Sequence, residues 1–205
     1  MTSFAGSGID LILVRHARPE VRPDVPAGVW PLSRAGRADA CALGERLRAA
    51  FGPLRVVTSG EQKAIETGEA IAGGGVTIDG RFGEQGLGTV PFLPADAFRA
   101  RAIAHFRRPQ DRVLGEESSA EAASRFDAAL RDRLAGEHDA TPVIVSHGRV
   151  LSAWLAMAAL PAACDAATGS AEAIWQRLRM PEAFMLRWGD GGWIYEPFGG
   201  AEGGG

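Results

Sequence analysis

Two apolar runs decide what this chain can become. Leu11-Ile12-Leu13-Val14 leads into Arg15-His16-Ala17, and Val143-Ile144-Val145 leads into Ser146-His147-Gly148. Neither run alternates apolar with polar residues. Each therefore reads as a strand buried on both faces, as in a parallel sheet covered by helices. Ligand sites in open α/β sheets lie just beyond the carboxyl ends of the strands. If the two strands are parallel neighbours, both imidazoles stand at one rim. Two histidines and an arginine there suit a doubly negative phosphoryl group.

The rest of the chain alternates strand and helix patterns. The first strand is expected at 9–14, and four prolines make 19–31 a loop. Ser33 can cap a helix over about 34–50 with Leu43 and Leu47 on one face. Residues 54–58 read as a strand. Ser59 and Gln62 then read as a capping box opening a helix that Gly73-Gly74-Gly75 ends. A short strand at 76–79, a Gly- and Pro-rich stretch at 80–94 and a helix at 95–108 follow. That helix carries Phe98, Ala102 and Phe106 as its stripe, with His105 expected at the surface. Ser118 and Glu121 form another capping box, opening a helix to about 135. Strand 142–146, helix 148–159 and a hairpin of 183–188 with 192–196 complete the pattern, while 161–175 stays ambiguous. Strands alternating with helices imply a three-layer α/β/α sandwich around a mostly parallel central sheet. One domain over 1–198 is expected, with 80–115 as a lid region and 199–205 as a flexible Gly-rich tail.

Composition narrows the partners. With 205 residues, 46% hydrophobic and 23% charged, the chain matches an ordinary globular domain. A net charge of -3 argues against general nucleic-acid binding, yet leaves room for a local positive pocket. No signal peptide and no membrane span are read at 1–8 or in the longest apolar stretch, 150–164. Cys41 and Cys164 read as unpaired thiols in a reducing cytosol, so a cytoplasmic protein is expected. His138, beside Glu137 and Asp139, reads as a surface residue. Trp193 and Tyr195 on the closing hairpin could make an edge contact, such as a homodimer, or cover the sheet.

Five ordered segments carry a resemblance to a known family. They are Arg15-His16-Ala17, Thr58-Ser59-Gly60-Glu61-Gln62-Lys63-Ala64-Ile65-Glu66-Thr67, Phe82-Gly83-Glu84, Gly115-Glu116-Glu117-Ser118 with Arg125, and Ser146-His147-Gly148. Together they resemble the histidine phosphatase superfamily, also called phosphoglycerate mutase-like, over roughly residues 9–188. The resemblance implies a phosphomonoester hydrolase needing no metal and no cofactor, acting on a small phosphorylated metabolite. His16 would attack phosphorus and form a phosphohistidine, splitting one hard step into two. Arg15 and His147 would hold phosphoryl oxygens, with the amides after Gly148 adding partial positive charge. Glu84 would protonate the leaving alkoxide and later deprotonate water, for which its pKa should lie above that of a free glutamate.

The departures are as informative. Lys63 stands where the family pattern has a second phosphate-binding arginine, and it is the only lysine among 22 basic residues. Lysine keeps the charge and loses the bidentate fork. Ala17 replaces the usual glycine and would be strained if φ were positive there. Arg18 and Arg22 could enlarge the positive pocket or be solvated, and Glu117 could touch substrate or be a solvated charge beside a helix start. The segment between Glu84 and Gly115 is too short for a mutase insertion, which favours the phosphatase branch. Competing readings are a phospho-ligand-binding or scaffold protein with catalysis lost at Lys63, a phosphohistidine-protein phosphatase, and a mutase-type phosphotransferase. A zinc hydrolase lacks the local His spacing.

Overall fold

A computed structural model describes residues 9–87, 92–135, 139–161, 169–189 and 191–199. The elements run β1 (Leu11–Arg15), α1 (Arg34–Phe51), β2 (Leu54–Thr58), α2 (Gln62–Ala72), β3 (Thr77–Ile78), α3 (Ala95–Arg107) and α4 (Ser119–Leu134). Then come β4 (Thr141–Ser146), α5 (Gly148–Ala158), β5 (Ala159–Pro161), α6 (Ala171–Arg177), β6 (Glu182–Gly189) and β7 (Gly192–Pro197). The strands form one seven-stranded sheet in the order β3-β2-β4-β1-β6-β7-β5. β1, β2, β3 and β4 run parallel, whereas β6 pairs antiparallel with both β1 and β7. The α/β fold with a mostly parallel central sheet is thus as the strand patterns imply.

The period-2 geometry of β1 splits its side chains between two cores. Leu11 and Leu13 pack with Ile144, Phe126 and Trp154 on the α4–α5 face. Ile12 and Val14 pack with Val143, Val145, Leu43 and Leu47 on the α1–α2 face. Both faces are dry, which is why neither strand shows an alternating pattern. Trp154 is fully buried, and its indole Nε1–H donates to Asp127 at 3.0 Å. Trp154→Ala should therefore cost about 3–5 kcal/mol, read as a lower urea midpoint at unchanged slope.

Two expected caps are present. Ser33 accepts from the Gly36 amide at the start of α1. Ser118 and Glu121 form the full reciprocal capping box of α4. The third is not, because the N-cap of α2 is Glu61 and its side chain makes no capping bond. The Ser59 hydroxyl is taken by His147 instead, at 2.7 Å from Nε2. Segment 19–31 holds a 3-10 turn at Ala27–Val29, and 80–94 holds another at Gly80–Phe82. The ambiguous stretch 161–175 borders β5 and contains the start of α6. Trp193 and Tyr195 are buried and cover the sheet. Cys41 is free and exposed. Cys164, His138, Asp190 and residues 200–205 lie outside the described residues. No helix among the described residues is long and apolar enough to cross a membrane.

His105 departs from expectation. It is 1% exposed, with its Nδ1 buried and unpartnered. α3 packs against α6, with Phe98 and Phe106 against Trp175 and Arg107 paired to Glu172. The stripe of α3 is therefore wider than Phe98, Ala102 and Phe106 and takes in His105. Arg99, Arg101, Arg107 and Arg108 remain exposed on its outer side.

Candidate active site

The register Arg15↔Ser146 puts the ends of β1 and β4 side by side, so His16 and His147 leave the sheet at one rim. Their ring centroids are 5.1 Å apart. The His16 backbone N–H donates to Ser146 O, which fixes this rim. His16 Nδ1 lies 2.8 Å from Ala17 O. A carbonyl can only accept, so Nδ1 carries the proton and Nε2 keeps its lone pair. Burial first, then the neighbouring His147, holds the His16 pKa well below its ordinary value. His16 is therefore a neutral imidazole with a free nucleophilic nitrogen. Ala17 meets no backbone strain, since no described non-glycine residue has positive φ.

Arg15 lies across the N-terminus of α5. Its Nη1 donates to Leu178 O at 2.7 Å, and its Nε is buried without a partner. A Cβ on Gly148 would fall 3.1 Å from Arg15 Nε, so the glycine lets the guanidinium lie flat against the helix. His147 Nε2 faces Ser59 Oγ at 2.7 Å and Glu61 Oε1 at 3.2 Å, while its Nδ1 is buried and unpartnered. Burial lowers the His147 pKa to about 4 despite the nearby carboxylates of Glu61 and Glu84. Two orphaned polar atoms, from Arg15 and His147, thus border the histidine pair. Buried polar atoms without partners carry a desolvation cost that an anion would relieve.

Glu84 is held from several sides. Ser146 Oγ donates to Phe82 O at 2.7 Å, and Arg125 donates to Arg81 O and Gly83 O. The Glu84 carboxylate accepts the amides of Gln85, Arg149 and Val150, so it caps α5. Burial alone would raise its pKa, but Arg149, His147 and these amides outweigh burial and bring it down to about 2. The expectation of a raised pKa is corrected for the free protein, because amide donors and a buried guanidinium favour the anion.

Lys63 is buried near both histidines, and its field lowers the pKa of each. Its Nζ donates to Ala27 O at 2.8 Å and to Glu61 Oε2 at 2.5 Å. An ammonium has three donors, so one remains for a phosphoryl oxygen. Glu117 is paired within the protein. It holds Arg125 through two bonds of 2.9 and 2.7 Å and so braces the Glu84 loop. Arg22 pairs with Glu20 at the surface and is not brought to the histidines.

Four contributors escaped sequence reasoning: Ser59, Glu61, Gln85 and Arg149. Arg149 donates to Gln85 Oε1 at 3.1 Å and lies 3.9 Å from Glu84. It is the one charged residue of α5, a signal visible in Gly-Arg-Val-Leu-Ser-Ala-Trp-Leu. Beside the cluster, a cavity of about 600 Å³ is lined by Val21, Pro26, Ala27, Trp30, Phe92 and Phe98, with Arg149 at its wall. Among the described residues, no group of three or more His, Cys, Asp or Glu side chains could hold a metal.

The buried histidines set an acid limit on stability. His16, His105 and His147 all resist protonation when folded, whereas in the unfolded chain they take up protons near pH 6.5. The unfolded state therefore binds more protons below that pH, and stability falls as pH drops. We expect the melting temperature to decline from pH 7 to pH 5 in phosphate-free buffer, at up to about 1.4 kcal/mol per pH unit per histidine.

A three-layer α/β fold with a histidine pair at the carboxyl rim of its central parallel strands defines the phosphoglycerate mutase-like class. The family model for the histidine phosphatase superfamily, branch 1, matches residues 11–178, and the chain belongs to that superfamily. Among curated relatives, a probable phosphoglycerate mutase GpmB of Salmonella paratyphi A is 29% identical over 185 residues, covering 82% of this chain and 81% of the relative. A phosphoserine phosphatase of Entamoeba histolytica shares the fold with a TM-score of 0.67 at 17% identity, covering 94% of this chain and 97% of that one. A mycobacterial glucosyl-3-phosphoglycerate phosphatase does so with a TM-score of 0.63 at 22% identity, covering 91% and 95%.

Proposed function

We propose that this chain is a phosphomonoester hydrolase that works through phospho-His16 on a small phosphorylated metabolite. The observation that carries it is the state of His16: Nδ1–H is spent on Ala17 O, and Nε2 is free beside two buried, unpartnered nitrogens, Arg15 Nε and His147 Nδ1. Nε2 attacks phosphorus in line, the phosphorus–oxygen bond to the leaving group breaks, and water later cleaves the phosphorus–nitrogen bond. Arg15, the third Lys63 donor and His147 stabilise the equatorial oxygens. Their fixed positive charge does the electrostatic work for which other phosphoryl-transfer sites use a metal. Glu84 acts as acid and then base; the arriving dianion raises its proton affinity from the low value of the free protein. The adjoining cavity takes the organic part of the ester, and its aromatic wall favours a partly apolar one.

The test is hydrolysis of aryl and alkyl phosphates with chelator present, with acid-quench trapping of labelled protein. Chelator-resistant turnover with an acid-labile, base-stable phosphoprotein is expected. Binding of phosphate without turnover would favour a scaffold role. Exchange of phosphate between two positions of one substrate would favour the mutase reading, which draws support from the Salmonella relative.

A further inference from the structure

We propose that Glu61 is the positioning partner of His147: its carboxylate holds the Nε2 proton, so that Nδ1 faces the phosphoryl seat and takes up a second proton there. This rests on the hydrolase reading only for the identity of the incoming anion. A carboxylate is solely an acceptor, so Glu61 Oε1, in charge-pair contact 3.2 Å from Nε2, favours a proton on that nitrogen. Ser59 Oγ, at 2.7 Å from the same nitrogen, can donate or accept and cannot set the tautomer alone. With the proton on Nε2, the buried Nδ1 of the neutral ring presents a lone pair. A lone pair repels a phosphoryl oxygen. His147 can therefore grip the anion only as an imidazolium, its second proton drawn from solvent as the dianion enters.

Glu61 is built for that duty. Its Oε1 also accepts the Glu84 amide at 3.0 Å, and its Oε2 receives Lys63 Nζ, so the side chain has one fixed orientation. Facing His147 are Glu61 and Lys63 from the start of α2, Glu84 from the loop after the second 3-10 turn, Arg149 from α5 and His16 from the end of β1. Glu61 and Glu84 favour the imidazolium, and Lys63 and Arg149 oppose it. Glu84 is spent on three amides, so Glu61 is the carboxylate in hydrogen-bond reach of the ring. The arrangement is a carboxylate–imidazole pair of the kind that fixes tautomer and charge in other enzymes.

The experiment is 15N NMR of histidine-labelled protein without phosphate, comparing wild type, Glu61→Ala and Ser59→Ala, followed by kcat against pH on an aryl phosphate. The proposal expects the Nε2–H tautomer of His147 in wild type and Ser59→Ala, and a shift toward Nδ1–H in Glu61→Ala, where Ser59 donates to Nε2. It also expects kcat to fall on the order of 10²-fold at neutral pH in Glu61→Ala, its alkaline limb moving about one pH unit lower. Glu61→Asp should recover part of both. An Nδ1–H wild type, or an unchanged tautomer in Glu61→Ala, overturns the proposal, as does an unmoved alkaline limb. Absent turnover in wild type with the expected tautomers would instead sink the hydrolase reading and leave the Glu61–His147 pair standing.

Discussion

His16→Ala should abolish turnover, lowering kcat by at least about 10³-fold, and leave no trapped phosphoprotein. The substitution removes the imidazole whose Nδ1–H is fixed by Ala17 O and whose Nε2 is left free to attack. It leaves Arg15, Lys63, Glu84 and the α5 amides in place. Phosphate should bind at least as tightly as to wild type. Arg15, Lys63 and His147 remain around the seat, and a methyl group in place of the ring leaves the anion more room. Calorimetry with inorganic phosphate reads this directly. Turnover within a few-fold of wild type would exclude His16 as nucleophile, whatever the fold resembles.

Glu84→Gln should separate leaving groups. A general acid matters most when the departing alkoxide is a strong base. We therefore expect a loss of about 10²–10⁴-fold on an alkyl phosphate and within about tenfold on a nitrophenyl phosphate. Equal losses on both would reduce Glu84 to a helix cap. That structural duty is real. Its pKa in the folded protein, about 2, lies below the ordinary glutamate value, so its ionised form stabilises the fold at neutral pH. The contribution is on the order of 3 kcal/mol, complete above about pH 4.5 and lost as pH falls toward 2. The glutamine variant should thus melt lower than wild type, and the ratio between the two substrates is unaffected by how much of it is folded.

The order of elements and the two faces of the sheet were legible because burial on both sides leaves an unmistakable run in β1 and β4. The capping serines of α1 and α4 were legible for a local reason: each bonds an amide three residues on. Ser59 is not the cap because α2 starts later, at Glu61; its hydroxyl accepts the Glu61 amide and meets a tertiary partner, His147. His105 was misplaced because an amphipathic stripe shows which residues suit a core, not how far a neighbouring helix will wrap. The histidine pair was visible as sequence, but its electrostatics were not. The pKa of Glu84 depends on Arg149, His147 and amides at the start of α5, and Lys63 Nζ is met by Glu61. Nothing within either motif announces those meetings.

β1 lies near the beginning of the chain and in the middle of the sheet. Its two neighbours, β4 and β6, are made much later. During synthesis the Leu-Ile-Leu-Val segment must therefore wait, unpaired, for most of the chain to emerge. Such non-local pairing slows folding and leaves sticky backbone exposed meanwhile. His16 meets His147 only once the β1–β4 register has formed. Until Phe184 and Leu186 of β6 take their places beside Leu13 and Leu11, one edge of β1 stays open to the wrong partners.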